Sequence, residues 1–446
     1  MLGVAGWEQE VTWHDEHLRH VPSTITVAAV QTAAHDRSCL TRAWPRIAGH
    51  ARDAARNGAD LVVLPEGTLP AYVLGYRSFE ESEIAAAFED CRSIAREHRA
   101  VVVVGAARRE GIRVFNSAVV IDADGSIAGA ADKNFLWHFD RQWFTSGERL
   151  QPINTSLGAL GVLICADGRI PTIARTLVDQ GSQILVMPTA WVTSGREPQR
   201  LENVQADLLA RVRARENDVP FIAANKCGVE LQCVAYCGKS QIVHADGTIC
   251  AIASQDAEEI IAGTIRIGRP HPTRTALHLA NAAREPSARP QRLAITPRAP
   301  QARDAELLQI LQADLLLYGN GECSAGDSSH IYRIASDEFM LDPGALASVR
   351  RTGGHDVALW CTSYEPQWQV SFARARAVEL RMYLIVIDRE RNRAFAVDPD
   401  GTVVCGTYDG YEIAAFSYDP ARSAQTVVAP GTDVREGLDR AAQQVR

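Results

Sequence analysis

Three residues suited to acyl chemistry stand where apolar runs stop. Glu66 follows Leu-Val-Val-Leu-Pro, Lys133 follows Ala-Gly-Ala-Ala-Asp, and Cys165 follows Val-Leu-Ile. A carboxylate can take a thiol's proton, and the thiolate can then attack a carbonyl or nitrile carbon. A nearby ammonium steadies the charge that develops on oxygen or nitrogen, and it favours the thiolate. Each residue alone has a plainer reading. Strand-end cysteines are commonly small core hydrophobes. The glutamate can serve a helix N-terminus and the lysine can be a solvated turn residue. Together, at three strand ends, they point to a site. Cys165 is followed at once by Asp167, Arg169 and a proline-led helical pattern, which suits a nucleophile at a strand-to-helix corner.

The elements that must hold them follow from periodicity. Apolar β-branched runs at "TITVAAVQT", "ADLVVLPEG", "AVVVVGAAR", "VFNSAVVIDADG", "SQILVMPTA" and "PFIAANK" read as strands. Helical patterns over 41–58, 79–99 and 200–216 alternate with them, the first closed by Gly58. Strands that feed helices in this way predict a layered α/β fold with its site at the strands' C-terminal ends.

Composition narrows the partners. At 446 residues the chain suggests two domains, and a net charge of -8 gives no basic footprint for nucleic acid. No apolar run approaches the roughly 20 residues that span a bilayer. The first residues lack the basic and apolar regions of a secretory signal, and ten scattered cysteines fit a reduced, cytoplasmic chain. Cys227, Cys233 and Cys237 match no zinc-ligand spacing, so neither a metal nor another cofactor is expected.

The stretches "VAAVQT", "GADLVVLPEG", "DKNFLWHFDRQWFTSGE", "LGVLICADGRIP", "MPTAW" and "ARENDVPFIAANKCG", then "YCGKSQIVHADGTI", are collinear over about residues 24–268. In them the chain resembles the nitrilase superfamily of carbon–nitrogen hydrolases. That resemblance implies an α-β-β-α sandwich in which Glu66 is the general base, Lys133 the stabilising cation and Cys165 the nucleophile. Many members place a further glutamate four residues before the Phe of a Phe-x-x-Gly turn. Here that position is Asp140, one methylene shorter, which puts its reach to Lys133 in question. Arg169 matches a common family arginine and could bind a substrate carboxylate or pair with Asp167. Trp137, His138, Trp143 and Trp191 are candidates for the pocket wall, each with core packing as the plainer alternative. The implied substrate is a small amide, N-carbamoyl compound or nitrile.

The C-terminal third repeats the first part in degenerate form. "GADLVVLPEG" matches "QADLLLYGNG" (312–321), "RARENDVPFIAAN" matches "RAVELRMYLIVID" (376–388), and "VHADGTI" matches "VDPDGTV" (397–403). Asn320 then stands for Glu66, the Lys133 segment is missing, and Glu338 falls where the nucleophile should be. The expected organisation is an N-terminal extension (1–23), a hydrolase domain (24–283), a linker (284–291), a truncated nitrilase-like copy (292–436) and a tail (437–446). Family domains pair through the helix after the nucleophile strand and the helix carrying Arg-Ala-x-Glu. Both segments persist in the copy, which predicts an internal pseudo-dimer in a monomer or small homo-oligomer.

The resulting expectation is a thiol-dependent hydrolase of linear amide or N-carbamoyl C–N bonds. Nitrile hydrolysis and a non-catalytic, nitrilase-like scaffold are the alternatives.

Overall fold

Uninterrupted β-branched runs suit strands buried on both faces. Three of them, Thr24–Ala33, Leu61–Val63 and Val101–Glu110, lie side by side in parallel. Arg113–Ile121 and Ile127–Asp132 extend this sheet antiparallel at one edge. Glu259–Arg266 and Lys226–Glu230 pair with Thr24–Ala33 on its other side. A second sheet runs in the order Ile249–Ile252, Gln241–Val243, Phe221–Ala224, Ile184–Pro188, Gly158–Val162 and Ile153–Thr155.

Side chains alternate across a strand, and here the alternation sorts two cores. Ala28, Val30, Val62 and Val102 meet Trp44, Ile47 and Ile94 of the outer helices Leu40–Arg56 and Ala85–His98. Val27, Ala29, Val63 and Val103 face the second sheet. The helices Pro171–Asp179 and Ala210–Asn217 follow from the second sheet, and their apolar residues join the same cluster. The result is the α-β-β-α sandwich that the resemblance implies.

The computed structural model describes residues 23–75, 77–193, 203–268, 289–324, 328–353, 355–407 and 412–444. Most of the expected N-terminal extension and linker, and residues 269–283, lie outside the described residues.

From Gln291 onward a second unit holds, among the described residues, the two-stranded pair Val427–Ala429 and Thr432–Asp433 and two larger sheets. One pairs Gln291–Thr296 with Leu315–Tyr318 in parallel and with Ala414–Tyr418 antiparallel. The other is ordered Ile331–Ile334, Val357–Cys361, Tyr383–Asp388, Arg393–Val397 and Val403–Gly406. Its order and strand senses match five strands of the first unit's second sheet. Even the irregularity recurs: one register shift falls at Ile242/Val243 and another at Ala396/Val397. The helix Val434–Gln444 runs through the expected division at 436/437, because Val434, Leu438 and Ala441 form one buried stripe.

The units meet through like helices. Pro171–Asp179 packs on Pro343–Gly353, and Ala210–Asn217 on Pro366–Leu380. A single apolar cluster passes from Ile164, Ile173 and Leu209 through Leu346, Phe372 and Leu438. At its polar centre Arg213 binds Glu216 and Glu379, while Arg376 binds Glu379 and Glu216. All four side chains are buried. The flanking contact also repeats, since Arg211 Nε donates to the Gly247 carbonyl and Arg374 Nε to that of Gly401.

Candidate active site

Glu66 lies three residues past the end of Leu61–Val63, on a loop that other strands hold in place. Gly105 of the adjacent strand lets that loop pass close, because a Cβ there would stand 2.3 Å from the Pro65 carbonyl oxygen. Lys226 Nζ donates to the Gly67 carbonyl at 2.8 Å, and Glu230 accepts from the Val73 N–H and the Tyr236 hydroxyl. These groups are buried, so the loop is fixed from behind.

Lys133 follows the edge strand Ile127–Asp132 and is fully buried. Its ammonium donates to Glu66 Oε1 at 2.7 Å and to Asp140 Oδ2 at 2.5 Å. The shortened carboxylate therefore does reach the lysine. It does so because the turn His138–Gln142 folds back, with the Trp137 N–H bonded to Asp140 Oδ2. Tyr72 donates its hydroxyl to the other Asp140 oxygen at 2.8 Å. Burial works against the ammonium, but Asp140 and Glu66 outweigh it and hold Lys133 well above the ordinary lysine value.

Glu66 is asymmetric. Oε1 accepts from both Lys133 and Asn116, each at 2.7 Å. Oε2 is buried and accepts no hydrogen bond among the described residues. One oxygen is thus tied down and the other left able to take a proton.

Cys165 turns the chain from the strand Gly158–Val162 into a short 3₁₀ turn, and it does so at φ +45°. This left-handed corner is uncommon for a residue with a side chain. Its thiol lies within the fields of Glu66 and Lys133. Burial first, and the Glu66 charge second, push it up to about 12, against the pull of Lys133, the Thr189 hydroxyl and the Ala190 backbone. The lysine's favour to the thiolate is real but outweighed.

Arg169 does not pair with Asp167. That carboxylate is spent on the backbone N–H groups of Asn134, Phe135 and Ile164, which ties the lysine loop to the cysteine corner. Arg169 instead lies 4.6 Å from the Trp137 ring, half-buried. His138 sits at φ +45° at the head of the Asp140 turn. Trp143 is a partly buried packing residue against the outer-helix core. Trp191 is buried in the same core cluster as Cys165. Sequence reasoning did not single out Tyr72, Asn116 or Thr189. Tyr72 closes the "LPAY" stretch after Glu66, which was the available hint.

In the second unit Asn320 Oδ1 accepts from Arg389 at 2.8 Å.

This arrangement, a buried carboxylate–ammonium pair beside a strained thiol, coincides with a sequence match. The model of the carbon-nitrogen hydrolase family covers residues 26–275, more than half of the chain. This chain belongs to the carbon-nitrogen hydrolase family. Its relatives in the family include a probable nitrilase of Schizosaccharomyces pombe, 27% identical over 48% of this chain and 78% of that protein. A citrullinase of Francisella tularensis is 28% identical over 54% of this chain and 89% of its own. An N-carbamoylputrescine amidase of Oryza sativa is 27% identical over 54% and 85%. The crystal structure of a carbon-nitrogen hydrolase from Helicobacter pylori aligns with a TM-score of 0.49, at 27% identity, over 55% of this chain and 90% of that one. The family match ends before the second unit begins.

Proposed function

We propose that the chain hydrolyses a small linear amide or N-carbamoyl compound through a thioester on Cys165. The observation that carries this reading is the divided Glu66, with Oε1 held by Lys133 and Asn116 and Oε2 accepting no hydrogen bond among the described residues. A thiol pushed up to about 12 cannot attack unaided near neutral pH. Glu66 Oε2 takes its proton as sulfur adds to the carbonyl carbon, and Lys133 faces the oxyanion that forms. Collapse breaks the C–N bond, and Glu66 returns the proton to the leaving amine or ammonia. Water, deprotonated by Glu66, then attacks the thioester. The acid leaves and the proton returns to sulfur.

Relatives named citrullinase and N-carbamoylputrescine amidase keep N-carbamoyl compounds beside amides in the substrate class. Within this reading the second unit is a degenerate copy that covers the helices of the first as an internal partner. Crosswise pairing of Arg213 with Glu379 and of Arg376 with Glu216 supports that view, because a two-fold axis relates like residues in this manner.

Ammonia or amine release from a panel of amides, N-carbamoyl compounds and nitriles, compared with Cys165→Ala, tests the proposal. Turnover by the wild type alone, with an acyl adduct on the Cys165 peptide, is the expected result. Turnover that survives Cys165→Ala would overturn it.

A further inference from the structure

The segment from Asn134 to Gly147 carries Trp137 and Asp140, and the second unit grips it at three points. Thr432 Oγ1 accepts the His138 N–H at 2.6 Å. Glu436 pairs with Arg141 at 3.0 Å. Gln444 donates to Asn134 Oδ1 at 2.8 Å, beside Lys133. Between these points Gly437 lies so close to the segment that a Cβ would come within 2.8 Å of the Phe135 ring and 2.6 Å of Ile170. The His138 bond matters most. It secures a residue held at φ +45°, immediately after Trp137 and two before Asp140. Thr432 itself is buried.

We propose that residues 432–444 form a positioning arm for the lysine loop. Through His138 and Phe135 the second unit then sets where Asp140 holds the Lys133 ammonium, and where Trp137 presents Arg169. The unit that has lost its own Glu, Lys and Cys thus acts on the chemistry of the first. This rests on Glu66, Lys133 and Cys165 being the catalytic set. Thr432 and Gly437 touch no reacting atom and act only through the loop.

The readout is the rate at which iodoacetamide alkylates Cys165 in the full-length chain, resolved by peptide mass spectrometry and followed against pH. Lys133→Met is the reference. Loss of the ammonium removes a charge that favours the thiolate, so alkylation at a fixed alkaline pH slows. Thr432→Val keeps volume but removes the acceptor, and it should shift the profile in the same direction, by about tenfold in rate for each unit of thiol pKa. Gly437→Val should do the same by pushing on Phe135. Thr432→Ser should restore the wild-type profile. Glu436→Gln should leave it within about twofold, because the Arg141 pair is exposed. If Lys133→Met shifts the profile while Thr432→Val and Gly437→Val do not, the arm proposal is wrong. If Thr432→Ser behaves like Thr432→Val, it is also wrong. If Lys133→Met has no effect, the catalytic reading fails first and takes the arm's role with it.

Discussion

Arg376 of the second unit donates to Glu216 of the first at 2.6 Å, while Arg213 reaches back to Glu379. Each arginine also binds the glutamate three residues after it in its own helix. Two cations and two anions therefore close a neutral ring inside an apolar interface. Such a ring is weak evidence of net stabilisation, because desolvation offsets much of the attraction. No single member can be removed without leaving a buried charge uncompensated.

Arg376→Met tests this point. It would strand Glu216 and Glu379 with one guanidinium between them, and should destabilise the chain by about 3–5 kcal/mol. Urea unfolding would show a lower midpoint. A second transition is also expected, as the units separate before the first unit melts. A single transition at the wild-type midpoint would count against the interface.

Glu66→Gln should separate two effects of one carboxylate. Losing the base should reduce turnover by about 10²–10⁴-fold. The thiol, however, should titrate lower than in the wild type, because Glu66's charge is among the causes that raise it and Lys133 stays in place. Thiolate absorbance against pH would measure this. A thiol that titrates higher in the variant would refute the electrostatic account.

Tyr72→Phe should cost less. It removes one hydrogen bond from Asp140 but leaves Lys133 and the Trp137 N–H on the other oxygen. A decrease in kcat of about tenfold is expected for such a supporting bond. Asp140→Ala should cost about 10²–10³-fold, as expected if an ammonium that faces the proposed oxyanion keeps Glu66 as its one remaining carboxylate among the described residues. Equal losses in both variants would mean that the tyrosine acts directly.

The strand ends were legible because site chemistry in an α/β fold gathers there, and Glu66, Lys133 and Cys165 each stop an apolar run. Tyr72 and Asn116 were not. Their parts depend on which strands pair and in what register, which no local pattern encodes. Asn116 reaches Glu66 from Arg113–Ile121, and its carbonyl accepts the Lys133 N–H as that edge pairs with Ile127–Asp132. The repeat aligned Arg213 with Arg376 and Glu216 with Glu379, but only the helix-on-helix packing shows that they bind crosswise. The C-terminal helix could have been read from Val434, Leu438 and Ala441. The bond from His138 to Thr432, just before that helix, could not, since it joins residues 294 positions apart.

Acid stability should turn on His35. Its Nε2 lies 2.9 Å from the Pro70 carbonyl in the loop after Glu66, so the neutral ring can donate there. Burial first, then the nearby Lys226 charge, lower it from 6.5 to about 4. The unfolded chain therefore binds a proton at this position over a range in which the folded chain does not. Stability from this group is intact above 6.5 and is lost as pH falls towards 4, by up to about 3 kcal/mol. His35→Gln should flatten that slope in denaturant titrations between those limits. A slope unchanged by the substitution would place the acid sensitivity elsewhere.

Arg169 bears on what is hydrolysed. A guanidinium stacked on Trp137, half-buried and with no ion pair or hydrogen bond among the described residues, has its full set of donors available. Asp167 cannot claim it, being committed to three backbone N–H groups. Burial also draws Arg169 down to about 10, which an incoming anion would relieve. The expected substrate therefore carries a carboxylate that the planar fork can grip at two points. Arg169→Lys keeps the charge but not the fork or the stacking. It should raise KM by about tenfold or more for acidic substrates, with kcat nearly unchanged, as expected when uniform binding is removed. Neutral amides of the same size should lose little. If Arg169→Lys instead lowers kcat for neutral and acidic substrates alike, the arginine supports the Trp137 turn and the substrate need carry no anion.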